Sequence, residues 1–141
     1  MYFKPLLVPL LAQVILTFTV MIIMYRRRVM EMKTKRINPQ RTKTRSVAHG
    51  VLSDSESAAD NYSNLLESPV LFYVAILLTL ILMVQDSIIV FLAWTYVASR
   101  CVHSLIHITY NRVMHRFSAF AFSSFVLLAI WSRLAWIIIE S

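Results

Sequence analysis

Five polar side chains fall on one helical face late in the chain. Arg100, His103, His107, Tyr110 and Asn111 are spaced i, i+3, i+7, i+10, i+11, which aligns them along one side of an α-helix. Asp60, Asn64 and Glu67 repeat the pattern earlier at i, i+4, i+7. A guanidinium, two imidazoles, an amide and carboxylates at such positions can hold a charged ligand, move protons or neutralise one another. Two readings stay open. Glu67 and Arg100 can form a structural ion pair with satellite hydrogen bonds. Alternatively, the stripes line a groove for a ligand, because five aligned polar positions exceed what one bridge requires. His103 and His107 also have the i, i+4 spacing of a metal-binding pair with Glu67 as a third ligand. Neither an HExxH motif nor a cysteine set accompanies them, so no metal is expected. His49 and His115 read as solvated loop residues. Cys101 lies off the histidine face and is not expected to act as a nucleophile. With one glycine in the chain, a GxSxG elbow, a Walker loop and a glycine-rich phosphate cradle are excluded.

The elements that must position these residues are apolar runs. Leu6–Tyr25, Pro69–Gln85, Ser87–Tyr110 and Phe117–Ile139 are nearly uncharged. A helix needs about 20 apolar residues to cross a hydrocarbon core roughly 30 Å thick. Hydrophobic residues make up 58% of the chain and the mean hydropathy is +0.65, more than a soluble domain of this size needs. The reading is an all-α, four-helix transmembrane bundle. It forms a single domain over 1–141, with spans at about 5–25, 66–85, 87–110 and 117–139. A cleaved signal peptide is the rival for the first run. Lys4 makes a weak n-region, however, and Arg26–Arg28 stands where small residues would be cleaved. A retained span is therefore expected. One cysteine permits no internal disulfide.

The net charge of +7 raises the question of nucleic acid. Nine of the 14 Lys and Arg residues lie within Arg26–Arg45, directly after the first run. That placement is the positive-inside signal and suits contact with membrane lipid head groups; no nucleic-acid partner is expected. Residues 26–60 then form a basic cytoplasmic loop. Both termini and the Gln85–Ser87 turn lie on the opposite side, and the connection around Asn111–Ser118 returns to the cytoplasm. Ser53–Ser57 reads as an N-terminal cap for the second helix. The short Gln85–Ser87 turn makes spans two and three an antiparallel hairpin. Arg133 is expected to snorkel to the far interface, while Trp94, Tyr96, Trp131 and Trp136 serve as interface belts or packing.

At the two polar stripes the sequence resembles the MAPEG family, the membrane-associated proteins in eicosanoid and glutathione metabolism. The segments that carry the likeness are NYSNLLESPVLFY from Asn61 to Tyr73 and RCVHSLIHITYN from Arg100 to Asn111. The resemblance implies a four-helix bundle assembled as a homotrimer. It further implies glutathione as co-substrate, bound near the cytosolic face between subunits, and a lipophilic small-molecule substrate arriving from the bilayer. The family's second-helix pattern is Arg-x3-Asn-x2-Glu. Asn64 and Glu67 match it, and Asp60 stands at the arginine position. Its third helix has an arginine, then Tyr or His three residues on, then often Tyr four later. Arg100 and His103 fit, with His107 in the last slot. An arginine at the entry to the fourth helix stabilises the glutathione thiolate in some members. Arg116 is the nearest candidate for that catalytic role, with Arg112 the neighbouring alternative.

The expected function is a membrane glutathione-dependent transferase or peroxidase. Arg116 is catalytic in this reading, and Asn64, Glu67, Arg100, His103, His107 and Asn111 bind the ligand. The alternative is a non-catalytic lipid-binding or scaffold protein of the same fold.

Overall fold

The computed structural model describes residues 4–140, apart from the side chains of Lys4 and Arg45. The charge proposed for Lys4 therefore lies outside the described residues. Among the described residues six α-helices and one 3-10 turn follow one another: α1 Lys4–Thr34, the turn Pro39–Thr42, α2 Arg45–Val51, α3 Glu56–Glu67, α4 Val70–Ile81, α5 Ser87–Ile108 and α6 Val113–Glu140. Four rods are long and apolar enough to cross a membrane: Pro5–Thr34, the joined α3–α4 rod Glu56–Ile81, Ser87–Ile108 and Val113–Glu140. The chain is an all-α integral membrane protein with four spans.

The spans pack around α5. Phe72, Ala75 and Ile76 of α4, Ile89, Ala93, Tyr96 and Val97 of α5, and Val126, Ile130 and Leu134 of α6 form the buried core, joined by Leu6 of α1. Tyr96 stacks on Phe72 with ring centroids 4.5 Å apart; it is packing, not interface belt. Outward, the surface is also apolar, with Ile15, Phe91, Phe125 and Ile139 all exposed. Large apolar side chains facing out mark a protein whose solvent along the spans is lipid.

Helix boundaries depart from the apolar runs in four places. The first helix continues past Tyr25 to Thr34, because a helix that leaves the membrane needs no apolar residues. The second rod begins at Glu56, well before the membrane-type sequence, and breaks at Ser68–Pro69. Proline lacks the amide that would continue the ladder there. The hairpin turn spans Leu82–Asp86, longer than the expected Gln85–Ser87, since α4 stops at Ile81. The last helix starts at Val113, not at Phe117, which places Arg116 in its first turn.

With a single glycine, the chain ends its helices on other residues in the left-handed region. Arg36 follows α1 with φ 51°, Met83 follows α4 with φ 53°, and Asn111 follows α5 with φ 47°. At each, a backbone bond reaches back into the last turn: Ile37 N to Met32 O, Val84 N to Thr79 O and Asn111 N to Ile106 O, all 2.9–3.0 Å. These bonds satisfy carbonyls that a helix end leaves free.

Two ties fix the ends. At the hairpin turn, Asp86 accepts from Ile89 N at 2.9 Å and caps α5. Its other oxygen accepts from Arg133 Nη2 and Nε at 2.7 and 3.1 Å. Arg133 thus reaches toward the hairpin-turn end of the bundle, where its partner lies on the α4–α5 turn. At the opposite end, Ser55 precedes α3 but makes no side-chain cap of its own. Glu31 of α1 accepts instead from Asp54 N, Ser55 N and Ser55 Oγ at 2.9–3.0 Å. Lys35 completes the knot, 2.7 Å from Glu31 and 2.9 Å from Asp54.

Candidate functional site

The polar stripes meet where α3, α5 and α6 converge near the basic-loop end. A cavity of about 300 Å³ is lined by Asp60 and Asn64 of α3, His103 and His107 of α5, and Arg116, Phe117 and Phe120 of α6. The i, i+4 spacing on α3 and α5 makes both helices present their pairs to the same space. The first turn of α6 closes it. Arg27, at the end of the first apolar run, donates to the Ile108 carbonyl at 2.8 Å, so the loop between α5 and α6 sits at the basic-loop end.

Arg100 lies behind the cavity wall, wholly buried. Its Nη2 donates to Asn64 Oδ1, and its carbon Cζ lies 5.8 Å from the centroid of the Phe120 ring. Nε and Nη1 are buried without a hydrogen-bond partner. No carboxylate pairs with this guanidinium among the described residues. A buried charge without a counter-ion is costly in a membrane span, and the site accordingly carries unmet demand for an anion or a strong acceptor.

His103 Nδ1 donates to the Arg116 carbonyl at 3.1 Å, since a carbonyl can only accept. That bond leaves Nε2 as the free ring nitrogen, buried without a partner. His107 lies edge-on to His103, with ring centroids 5.5 Å apart, and its Nδ1 is also buried and unpartnered. Arg116 Nη1 donates to Asn111 Oδ1 at 2.9 Å, which aims the guanidinium from the loop side.

The expected site residues therefore divide. Asn64, His103, His107 and Arg116 are brought together, with Arg100 supporting Asn64 from behind. Asn111 is not on the α5 face: the helix ends at Ile108, and Asn111 acts from the following turn by holding Arg116. Tyr110 leaves the stripe in the same way and meets His115 at 3.1 Å. Glu67 stays exposed at the end of α3 and makes no ion pair with Arg100, whose side chain reaches Asn64 instead. Among the described residues no three His, Cys, Asp or Glu side chains are placed to hold a metal, so Glu67 does not complete the histidine pair.

Other residues escaped the sequence reading. His49 is not a solvated loop residue; its Nδ1 lies 2.8 Å from Glu56 Oε1 and its Nε2 3.5 Å from Asp60 Oδ1. Asn61 is fully buried and accepts from Ser104 Oγ at 3.2 Å, pinning α3 to α5 beside the cavity. Phe117 and Phe120 supply its apolar wall. Gln13, in the middle of the first span, is fully buried with both amide atoms unpartnered. A lone glutamine has no periodicity to signal it.

No curated protein and no solved structure matches the chain significantly. The match to the MAPEG family covers residues 6–136, nearly its whole length, and the chain belongs to that family.

Proposed function

We propose that this membrane protein binds glutathione in the α3–α5–α6 cavity and either joins its sulfur, as thiolate, to a lipophilic electrophile or uses the thiol to reduce a lipid peroxide, the thiol being oxidised. The observation that carries this reading is the buried Arg100. It has two unpartnered donors behind a cavity that also presents Arg116, His103 and His107. Such a site favours an anionic, hydrogen-bonding ligand. In this reading Asn64, held by Arg100, positions the peptide. Arg116, held by Asn111, faces the thiol and favours its thiolate, the nucleophilic form, as a nearby cation does. Phe117 and Phe120 offer the apolar side on which a lipophilic partner would lie, and holding both reactants there would supply much of the rate. Glu67, exposed on a span, favours a neighbouring subunit over lipid as its surroundings, so the assembly proposed is the homotrimer. The basic loop is assigned to the cytoplasm by the positive-inside rule.

Mixing the purified trimer with glutathione at neutral pH tests the reading. Free thiol, with a pKa of about 8.5, is mostly protonated there, so ultraviolet thiolate absorbance that Arg116→Ala removes is the expected result. Absence of that signal in the wild type overturns it.

A second reading rests on Asp60. Its carboxylate lines the same cavity and repels a carboxylate-bearing peptide, which favours a non-catalytic protein whose cavity takes lipid. Acyl chains and no tripeptide in the purified protein would select this alternative.

A further inference from the structure

The opposite face of α3 borders a second cavity that the first site does not use. While Asp60 and Asn64 face one side, Ala59, Tyr62, Ser63 and Leu66 face a space of about 360 Å³ closed by α1, the 3-10 turn and the start of α2. Arg28 and Lys43 both line it, and among the described residues no acidic side chain does. Arg28 Nε is buried without a hydrogen-bond partner. The three consecutive arginines thus have separate surroundings. Arg26 is exposed, Arg27 is spent on the Ile108 carbonyl, and Arg28 is turned into the cavity.

The level of this cavity in the protein is informative. Its α1 wall runs from Met24 to Arg28, across the point where the first apolar run ends at Tyr25. A rise of about 1.5 Å per residue puts Arg28 within roughly one turn of that end. Its α3 wall runs to Leu66, just before the second apolar run begins at Pro69. Both walls therefore pass from polar to apolar at the same height. The result is a cationic rim with Thr44 and Tyr62 hydroxyls over a floor of Met24 and Leu66 at the membrane surface, where phosphate-bearing lipid head groups lie and attract basic residues.

We propose that this cavity is a binding site for a phosphate group, with Arg28 and Lys43 as its cationic ligands. An anionic lipid head group is the source its position favours. A guanidinium with an unmet N–H suits a phosphate oxygen, and the apolar floor suits the start of the attached glycerol and acyl chains. The site is independent of the cavity assigned to glutathione, being on the other side of α3.

The test uses the full chain, stripped of lipid in mild detergent and then offered phosphatidic acid or phosphatidylcholine, with retained lipid per protomer counted by native mass spectrometry. A parallel arm measures the melting temperature in inorganic phosphate. The wild type should retain phosphatidic acid over phosphatidylcholine. Arg28→Ala with Lys43→Ala should weaken that retention by about tenfold or more, as loss of two basic contacts at a membrane surface predicts. Lys33→Ala with Arg41→Ala removes the same charge from exposed positions outside the cavity and should leave retention unchanged. Arg28→Lys with Lys43 intact should keep most of it. A melting temperature raised by inorganic phosphate in the wild type alone, without lipid retention, supports the site with a soluble phosphate as its source. Equal loss in the two double variants, or neither retention nor a thermal shift in the wild type, overturns the proposal.

Discussion

Among the described residues Arg100 donates through Nη2 to Asn64 Oδ1 and through no other atom, although its whole side chain is buried. Structure and ligand binding make opposite demands on this pair, and substitution can separate them. Replacing a buried, uncompensated charge by an apolar side chain of similar length is often neutral or stabilising. Arg100→Leu should therefore melt within a few degrees of the wild type or above it. Glutathione binding, read by calorimetry, should fall by about tenfold, because Asn64 loses the donor that orients it in the cavity wall. A variant that unfolds while the residual folded fraction binds normally would show that Arg100 serves the fold alone.

Asp60 offers the reverse experiment. It lines the cavity with its carboxylate, so Asp60→Arg exchanges repulsion for attraction toward a glutathione carboxylate. Tightening by about tenfold is expected for one such change at close range. The variant also frees His49 from one of its two acidic neighbours, but Glu56 at 2.8 Å keeps α2 joined to α3. An unchanged affinity together with a silent wild-type thiolate signal would move the assignment to lipid.

Arg116 and Arg112 are separable by the same absorbance. Arg116 lines the cavity and is held by Asn111, whereas Arg112 is exposed in the preceding turn. Arg116→Ala should abolish the thiolate signal, and Arg112→Ala should leave most of it. The opposite pattern would assign the thiol to Arg112.

The Asp86–Arg133 tie predicts a pH response at the other end of the protein. Burial pushes the Asp86 carboxyl upward, but the Arg133 guanidinium and the Ile89 amide outweigh it and hold its pKa below the usual carboxylate value. A carboxylate with a depressed folded-state pKa contributes fully above the unfolded value of about 3.9 and loses that contribution as pH falls through the lower folded value. Melting should thus be insensitive to this pair between neutral pH and about pH 5, with its contribution disappearing only in stronger acid. Asp86→Asn should cost about 1–2 kcal/mol at neutral pH, a modest figure because Arg133 is partly exposed. A melting temperature for Asp86→Asn equal to the wild type at neutral pH would contradict it.

Topology has its own measurement. In a Cys101→Ser background, Ser46→Cys lies on the exposed start of α2. A membrane-impermeant thiol reagent should reach it from the cytoplasmic side alone; labelling only from the opposite side reverses the orientation.

How far the sequence revealed this protein depended on what each feature must do in lipid. The four spans were legible because hydrocarbon demands long apolar runs, and His103 and His107 because a helix repeats its face. Helix ends were not. Nothing in the apolar run beginning at Phe117 shows that α6 starts at Val113, and polar residues outside the membrane continue a helix freely. Tyr110 and Asn111 kept the helical spacing in the sequence, yet a left-handed Asn111 ends α5 before either could join the stripe. Pairings between distant segments were also hidden. Arg133 and Asp86 are 47 positions apart, and no local pattern announces that one will meet the other. Arg100 could be expected to seek Glu67, but α3 brings the neutral Asn64 to it, one turn earlier.

Glu31 has a consequence for biogenesis. The carboxylate that caps the approach to α3 belongs to the first helix and is synthesised 23 residues ahead of Asp54, which it binds. The opening turn of the second rod has no side-chain cap from Ser55; its acceptor comes from the first helix. Because Asp60 and Asn64 ride on that rod, the wall of the cavity takes its position from a buried contact between the first helix and the loop before α3. The position of one cavity wall is thus tied to residues that precede the second apolar run.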